Sequence, residues 1–234
     1  MPFTHFNGIV QATDNSCGAF ALAAAMDNFG LALANQNAQL LNTNNLAQGF
    51  NQGVRVVSPG GGAAAFGTSV YQVTGELNLD FTVPDATYQY TAPIVSDMNS
   101  PSALAYIANL FAFATTVFYD QNGSDTFNAV QVTNPTGQGN LFDTEVALLQ
   151  TLPNVVITPS LGGYTALPAA NQVHLLLVNN EHWVAINNTQ LYDSETGYVG
   201  AYNHNPLPLV TVSYMWLGAV KDYPFSGIWI QLQH

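Results

Sequence analysis

The chain has 234 residues, 48% of them hydrophobic and 7% charged, with only two basic side chains, Arg55 and Lys221, and a net charge of −12. That length buries a substantial core, and the reading is one domain over residues 1–234. The charge excludes nucleic acid and anionic membrane surfaces as partners, since both require clustered Lys and Arg, and favours basic peptides or proteins.

In chain order, Met1-Pro-Phe-Thr-His-Phe6 carries neither a charged n-region nor an apolar h-region, so no secretory signal peptide is expected. Residues 17–29 predict a helix, with Ser16 or Asn15 as cap and Gly30 at the C′ position. It is apolar on nearly every side, which marks the central buried helix of a domain. Residues 35–48 predict a second, weaker helix. Gly60-Gly61-Gly62 and the small residues after it read as a flexible loop, and no Lys-Ser/Thr follows to make it a phosphate cradle.

Alternation over residues 68–96 predicts strands. Ser100-Pro101 then opens a long apolar helix, Ser as cap and Pro at the first helical position. The stretch 101–119 is apolar enough to raise a membrane span, but Asn109, Thr115 and Thr116 interrupt it and no basic residue flanks it, so a buried helix is expected. A further helix is predicted over 141–151 and a short strand over 154–159. The final third reads as strands over 173–180, 182–188, 190–194, 207–216 and 226–233. Asn179-Asn180 and Asn187-Asn188-Thr189 supply turns between the first three. The fold class is α+β, helices mostly early and an antiparallel sheet at the end.

Cys17 is the only cysteine, so no internal disulfide exists and the thiol itself draws attention. A thiol becomes a nucleophile as thiolate, a form favoured by a helix N-terminus and by an adjacent histidine. His182 opens a strand, and Asp193 lies on the strand that pairs with it, opposite His182 or one pair away if the turn falls at 187–189. The carboxylate would then fix one ring nitrogen and turn the other toward sulfur. Gln11, six residues before Cys17, is the expected oxyanion donor together with the Cys17 backbone N–H. His5, His174, His204 and His234 show no metal-ligand spacing, so no metal or other cofactor is expected.

The order Gln11, Cys17, His182, Asp193, each on its element, resembles papain-like cysteine peptidases (the clan CA fold). Their pattern has a Gln shortly before a Cys that opens the central helix, then a His and an Asn or Asp on a distal sheet. The matching stretches are Gln11–Met26 and Glu181–Gly197. The resemblance implies a Cys-bearing central helix packed on a C-terminal antiparallel sheet. It also implies Cys17 as nucleophile, His182 as base and acid, Asp193 as orienting residue and Gln11 as oxyanion donor. Two departures stand out: Gly18-Ala-Phe follows the Cys, and Trp183 follows the His. His182-Trp183 with Tyr192-Asp193-Ser194 is more similar to bacteriocin-processing peptidases and to Josephin-type ubiquitin proteases. The implied activity is hydrolysis of peptide or isopeptide bonds in a protein or peptide substrate, ubiquitin-like or host proteins included. Glutamine deamidation or acyl transfer by the same triad is the alternative, and a non-catalytic binding module of the same fold is the other. The lysine-poor, Asn/Gln/Thr-rich composition leans toward a secreted or translocated bacterial protein, an effector.

Overall fold

In a computed structural model, residues 2–30, 39–42, 54–57, 61–74, 78–80, 89–91, 99–134 and 137–234 are described. After a 3-10 turn at Thr4–Phe6, helix α1 spans Cys17–Asn28, and all twelve of its residues are buried. Its end follows the sequence: Gly30 takes φ +89° and its N–H bonds the Asp27 carbonyl at 2.8 Å, a left-handed cap that glycine adopts without strain. Burial of Phe20, Leu22 and Met26 contributes about 1.5–3 kcal/mol each, which is what holds an Ala-rich helix at the centre.

Strands β1 (Gln39–Asn42) and β2 (Val54–Val57) form an antiparallel pair. The helix expected over 35–48 is therefore corrected at 39–42, where pairing with a β-branched strand prevails over weak helical propensity; the rest of that stretch lies outside the described residues. Helix α2 (Ala63–Thr74) overturns two further expectations, the loop after Gly62 and the strand over 68–74. Ala63, Phe66, Val70 and Thr74 recur at three- and four-residue spacing and are buried, so the helical period wins over the alternation within 68–74. Helices α1 and α2 close tightly: a Cβ on Gly67 would lie 2.8 Å from the Phe20 ring.

Strands β3 (Asn78–Asp80) and β4 (Gln89–Thr91) pair antiparallel, as the alternation expects there; the rest of 75–96 lies outside the described residues. Helix α3 (Pro101–Leu110) starts as predicted, with the Ser100 side chain accepting from the Ala103 N–H and Pro101 in the first turn. It stops after ten residues. Ala112 takes φ +62°, and the β-branched run that follows becomes strand β5 (Ala114–Tyr119), so the single long helix over 101–119 is corrected to a helix and a strand. Among the described residues no helix is long and apolar enough to cross a membrane.

Helix α4 (Gln121–Asn128) is capped by Asp120. The hairpin β6 (Gln131–Asn134) and β7 (Gly137–Asn140) leads into α5 (Leu141–Thr151), capped by Asn140. Strands β8 (Val155–Pro159), β9 (Gln172–Val178), β10 (His182–Ile186), β11 (Leu191–Asp193), β12 (Tyr198–Gly200), β13 (Asn203–His204), β14 (Thr211–Trp216) and β15 (Ala219–Gln233) complete the chain. With β5 they form a nine-stranded sheet, antiparallel except where β5 runs parallel to β8.

Its order is β12-β11-β10-β9-β15, after which β15 divides. Residues 219–224 pair with β14, residues 228–233 with β5, and Phe225 and residues 229–233 with β9, with an irregularity between Phe225 and Trp229 making the switch. Alternate residues of the central strands bury opposite faces. Val173, Leu175, Leu177, Trp183 and Ala185 pack toward the helices. Leu176, Val178, Val184 and Ile186 face a second cluster with Tyr164, Val212, Tyr214 and Tyr223. The fold is α+β, as the sequence indicates.

Candidate active site

Three separate segments converge at the end of β10 where the chain enters it. The first is the loop ahead of α1. The Ser16 hydroxyl exchanges hydrogen bonds with the Thr13 backbone (2.8 and 3.0 Å) and makes no capping bond to α1. Cys17 opens the helix, buried, with 3% of its surface exposed. The second is the turn Asn179–Glu181. Asn179 and Asn180 both take positive φ, which Asn tolerates, and their N–H groups are fastened to the Pro224 carbonyl (2.9 Å) and the Ser226 hydroxyl (2.6 Å). That turn sets where His182 begins. The third is the end of β11, reached after Asn187 closes its turn by accepting the N–H groups of Thr189 and Gln190.

The Trp183 backbone N–H points at the Cys17 sulfur (3.4 Å), and the thiol lies 3.7 Å from the Glu181 carbonyl. A thiol donates to that carbonyl; a thiolate accepts from the N–H instead. His182 Nε2 is 2.9 Å from Asp193 Oδ1, which leaves Nδ1 as the ring nitrogen for the Cys17 side. The register pairs Asp193 with Val184, two residues along from His182 on the same face of the sheet, so the carboxylate reaches the ring diagonally. Burial disfavours a charged His182, but the hydrogen bond and charge of Asp193, with the Cys17 side chain, outweigh it and raise its pKa above the ordinary imidazole range. Burial also works against the Asp193 anion, and the donors around it overcome that, holding its pKa below the usual carboxylate range.

Those donors are the part that sequence reasoning missed. Besides His182, Asp193 Oδ1 accepts the Glu195 N–H (2.9 Å). Oδ2 accepts the hydroxyls of Tyr214 and of Tyr223 (2.6 Å), with Thr196 at 3.4 Å and the Lys221 ammonium at 3.6 Å. Both phenols have pKa values well above their ordinary one, first by burial and then by the Asp193 charge, so they remain donors. The β14–β15 pleat puts Tyr214, Lys221 and Tyr223 on one face, with Tyr214 directly opposite Lys221. His182, Asp193 and Glu195 offer ligand atoms within 4.8 Å of one another, but Lys221 stands 2.8 Å from Glu195 and already supplies a positive charge there.

Cys17, His182 and Asp193 are thus brought together; Gln11 is placed differently. Its amide donates to the Thr13 and Asp14 carbonyls (both 2.9 Å), its Oε1 accepts from the Ser194 hydroxyl (2.7 Å), and its backbone N–H bonds the Ser194 carbonyl (2.8 Å). Both amide hydrogens are spent within the loop. In this conformation the side chain braces the loop before Cys17 against the residue after Asp193, and the oxyanion role stays an expectation.

The two departures from the papain pattern explain one another. A Cβ on residue 18 would lie 2.6 Å from Asn99 Cβ and 2.9 Å from Trp183 Cδ1, so Gly18 makes the room that Trp183 occupies. The indole N–H bonds the Asn99 carbonyl (3.0 Å), and the Asn99 side chain accepts the Ala19 N–H (2.9 Å). Asn99 therefore clamps the first turn of α1 to β10. No family model, no curated protein and no solved structure matches the chain.

Proposed function

We propose that the protein is a thiol hydrolase of papain-like arrangement that acts on amide bonds of a protein or peptide. The observation that carries the reading is the His182 ring, bonded through Nε2 to a buried carboxylate, on a residue whose neighbour Trp183 sets its N–H 3.4 Å from the sulfur of a Cys at a helix start. Cys17 transfers its proton to His182 and attacks the substrate carbonyl. His182 returns that proton to the departing amine as the C–N bond breaks, leaving a thioester. Water then attacks, His182 takes one of its protons, and the thiol is restored as acid product leaves. The Cys17 backbone N–H, at the positive end of α1, is the donor to the developing oxyanion. Exposed Glu181 precedes His182 in the chain, which suits a neutral or basic segment at the scissile bond.

The test is a protein mixture from a eukaryotic lysate incubated with the wild-type chain and with Cys17→Ala. New N-termini that depend on Cys17 support the peptidase. A Cys17-dependent gain of about one dalton at Gln residues moves the same acyl-enzyme chemistry to deamidation. Identical proteomes with the two proteins contradict the hydrolase and leave the binding module.

A further inference from the structure

The chain has only two basic side chains, and one of them, Lys221, stands behind the orienting carboxylate rather than on an open surface. The hydrogens available there can be counted. Tyr223 has a single hydroxyl hydrogen and two carboxylates within reach, Asp193 Oδ2 at 2.6 Å and Glu195 Oε2 at 3.1 Å. Lys221 lies 2.8 Å from that same Glu195 oxygen and 5.2 Å from the centre of the Tyr223 ring. Its ammonium therefore supplies Glu195 with a donor and neutralises the charge that competes for the Tyr223 proton. Among the described residues the titratable groups around this cluster are His182 from β10, Glu195 after β11, Tyr198 from β12 (stacked on Tyr214 with ring centres 4.2 Å apart), Tyr214 from β14, and Lys221 and Tyr223 from β15.

We propose that Lys221 is a positioning residue for Cys17, His182 and Asp193: by holding Glu195 it reserves the Tyr223 hydrogen for Asp193. This rests on the thiol-hydrolase reading of the site. With Tyr223 and Tyr214 both donating to Oδ2, the carboxylate is held with Oδ1 on the His182 ring. Without Lys221, the Tyr223 hydrogen is shared between two anions, Asp193 loosens, and the imidazolium beside Cys17 loses its fixed partner. Because Glu195 is half-exposed, the device is also sensitive to salt.

The experiment follows alkylation of Cys17 by iodoacetamide between about pH 4 and 10, which needs no known substrate and reports one sulfur. Lys221→Met moves the rise of the rate upward by about half a pH unit or more. The same substitution in a Glu195→Gln background, where no charged competitor remains, shifts little. In a Tyr223→Phe background it adds little to the upward shift that Tyr223→Phe produces alone. Equal shifts of the Lys221→Met change in all three backgrounds overturn the proposal, because Lys221 would then act through its charge alone. An unshifted Lys221→Met profile overturns it as well. Should Lys221→Met not fold, Lys221→Gln carries the same comparison. The two levels separate cleanly: if wild-type alkylation is indifferent to His182→Ala, the reading of the site itself fails, whereas a His182-dependent profile unmoved by Lys221 sinks only this inference.

Discussion

Gly18→Ala places one methyl group where the site has no space for it. The new Cβ would stand 2.6 Å from Asn99 Cβ, 2.8 Å from Asn99 Oδ1 and 2.9 Å from Trp183 Cδ1, all atoms of buried side chains that are themselves held by hydrogen bonds. Helix propensity alone favours the change by at most about 1 kcal/mol. Against this stand overpacking, about 1–3 kcal/mol, and the loosened bond from the Ala19 N–H to Asn99, about 1 kcal/mol. The net is a loss of about 1–3 kcal/mol, read from urea unfolding. Displacing Trp183 also carries its backbone N–H away from the Cys17 sulfur, so the alkylation rate of Cys17 at neutral pH falls in the folded variant. A variant as stable as wild type, or more so, with unchanged thiol reactivity refutes the packing argument.

Three further outcomes follow from the same geometry. Gln11→Ala removes a brace between the Cys17 loop and Ser194, so unfolding stability drops by about 1–2 kcal/mol; unchanged stability contradicts the brace. Glu145 is buried against the start of α3, accepting the Ser102 N–H and hydroxyl, and burial pushes its pKa from 4.5 to about 7. Its folded pKa lies above the unfolded one, so its contribution is complete below about pH 4.5 and is lost as pH rises through 7, a decline of about 3 kcal/mol. Glu145→Gln flattens that decline in pH-dependent unfolding, and an equally steep curve in the variant contradicts the assignment. Asp193→Asn sets an amide hydrogen against donors on either side, for a cost of about 3–5 kcal/mol at neutral pH. Because the Asp193 pKa is depressed, its stabilisation is present above about pH 4 and lost below it. The gap between wild type and Asp193→Asn in thermal unfolding therefore narrows as pH falls, and a gap constant with pH speaks against an ionised Asp193.

Much of this arrangement is legible in the sequence wherever the signal is local. The stop of the first helix at Gly30, the Ser100-Pro101 start and the Asn179-Asn180 turn follow from capping and turn chemistry within a few residues, and the buried helix from Cys17 follows from its unbroken apolar run, since Ser16 does not cap it. Residues 68–74 mislead because Val70 and Thr74 fit both a two-residue and a 3.6-residue period, and packing against α1 decides. The apolar run 101–119 hides β5, whose strand character depends on pairing with β15 and β8. At the site, Cys17, His182 and Asp193 are recognisable by type and order. Gln11 is recognisable by type only: its spacing is right, yet nearby carbonyls take its amide hydrogens. Tyr214, Lys221 and Tyr223 are invisible until the β14–β15 hairpin is folded over Asp193. A lysine in an almost lysine-free chain, two residues from a tyrosine on a strand, is the one trace they leave.

The central claim is that His182 and Cys17 form one chemical unit. Its most direct measurement is the pH dependence of Cys17 alkylation in wild type and in His182→Ala, read by intact mass on the single cysteine. The account predicts that wild-type reactivity rises well below the pH of a free thiol, about 8.5, and that His182→Ala returns the rise to that value. Superimposable profiles for the two proteins would contradict it.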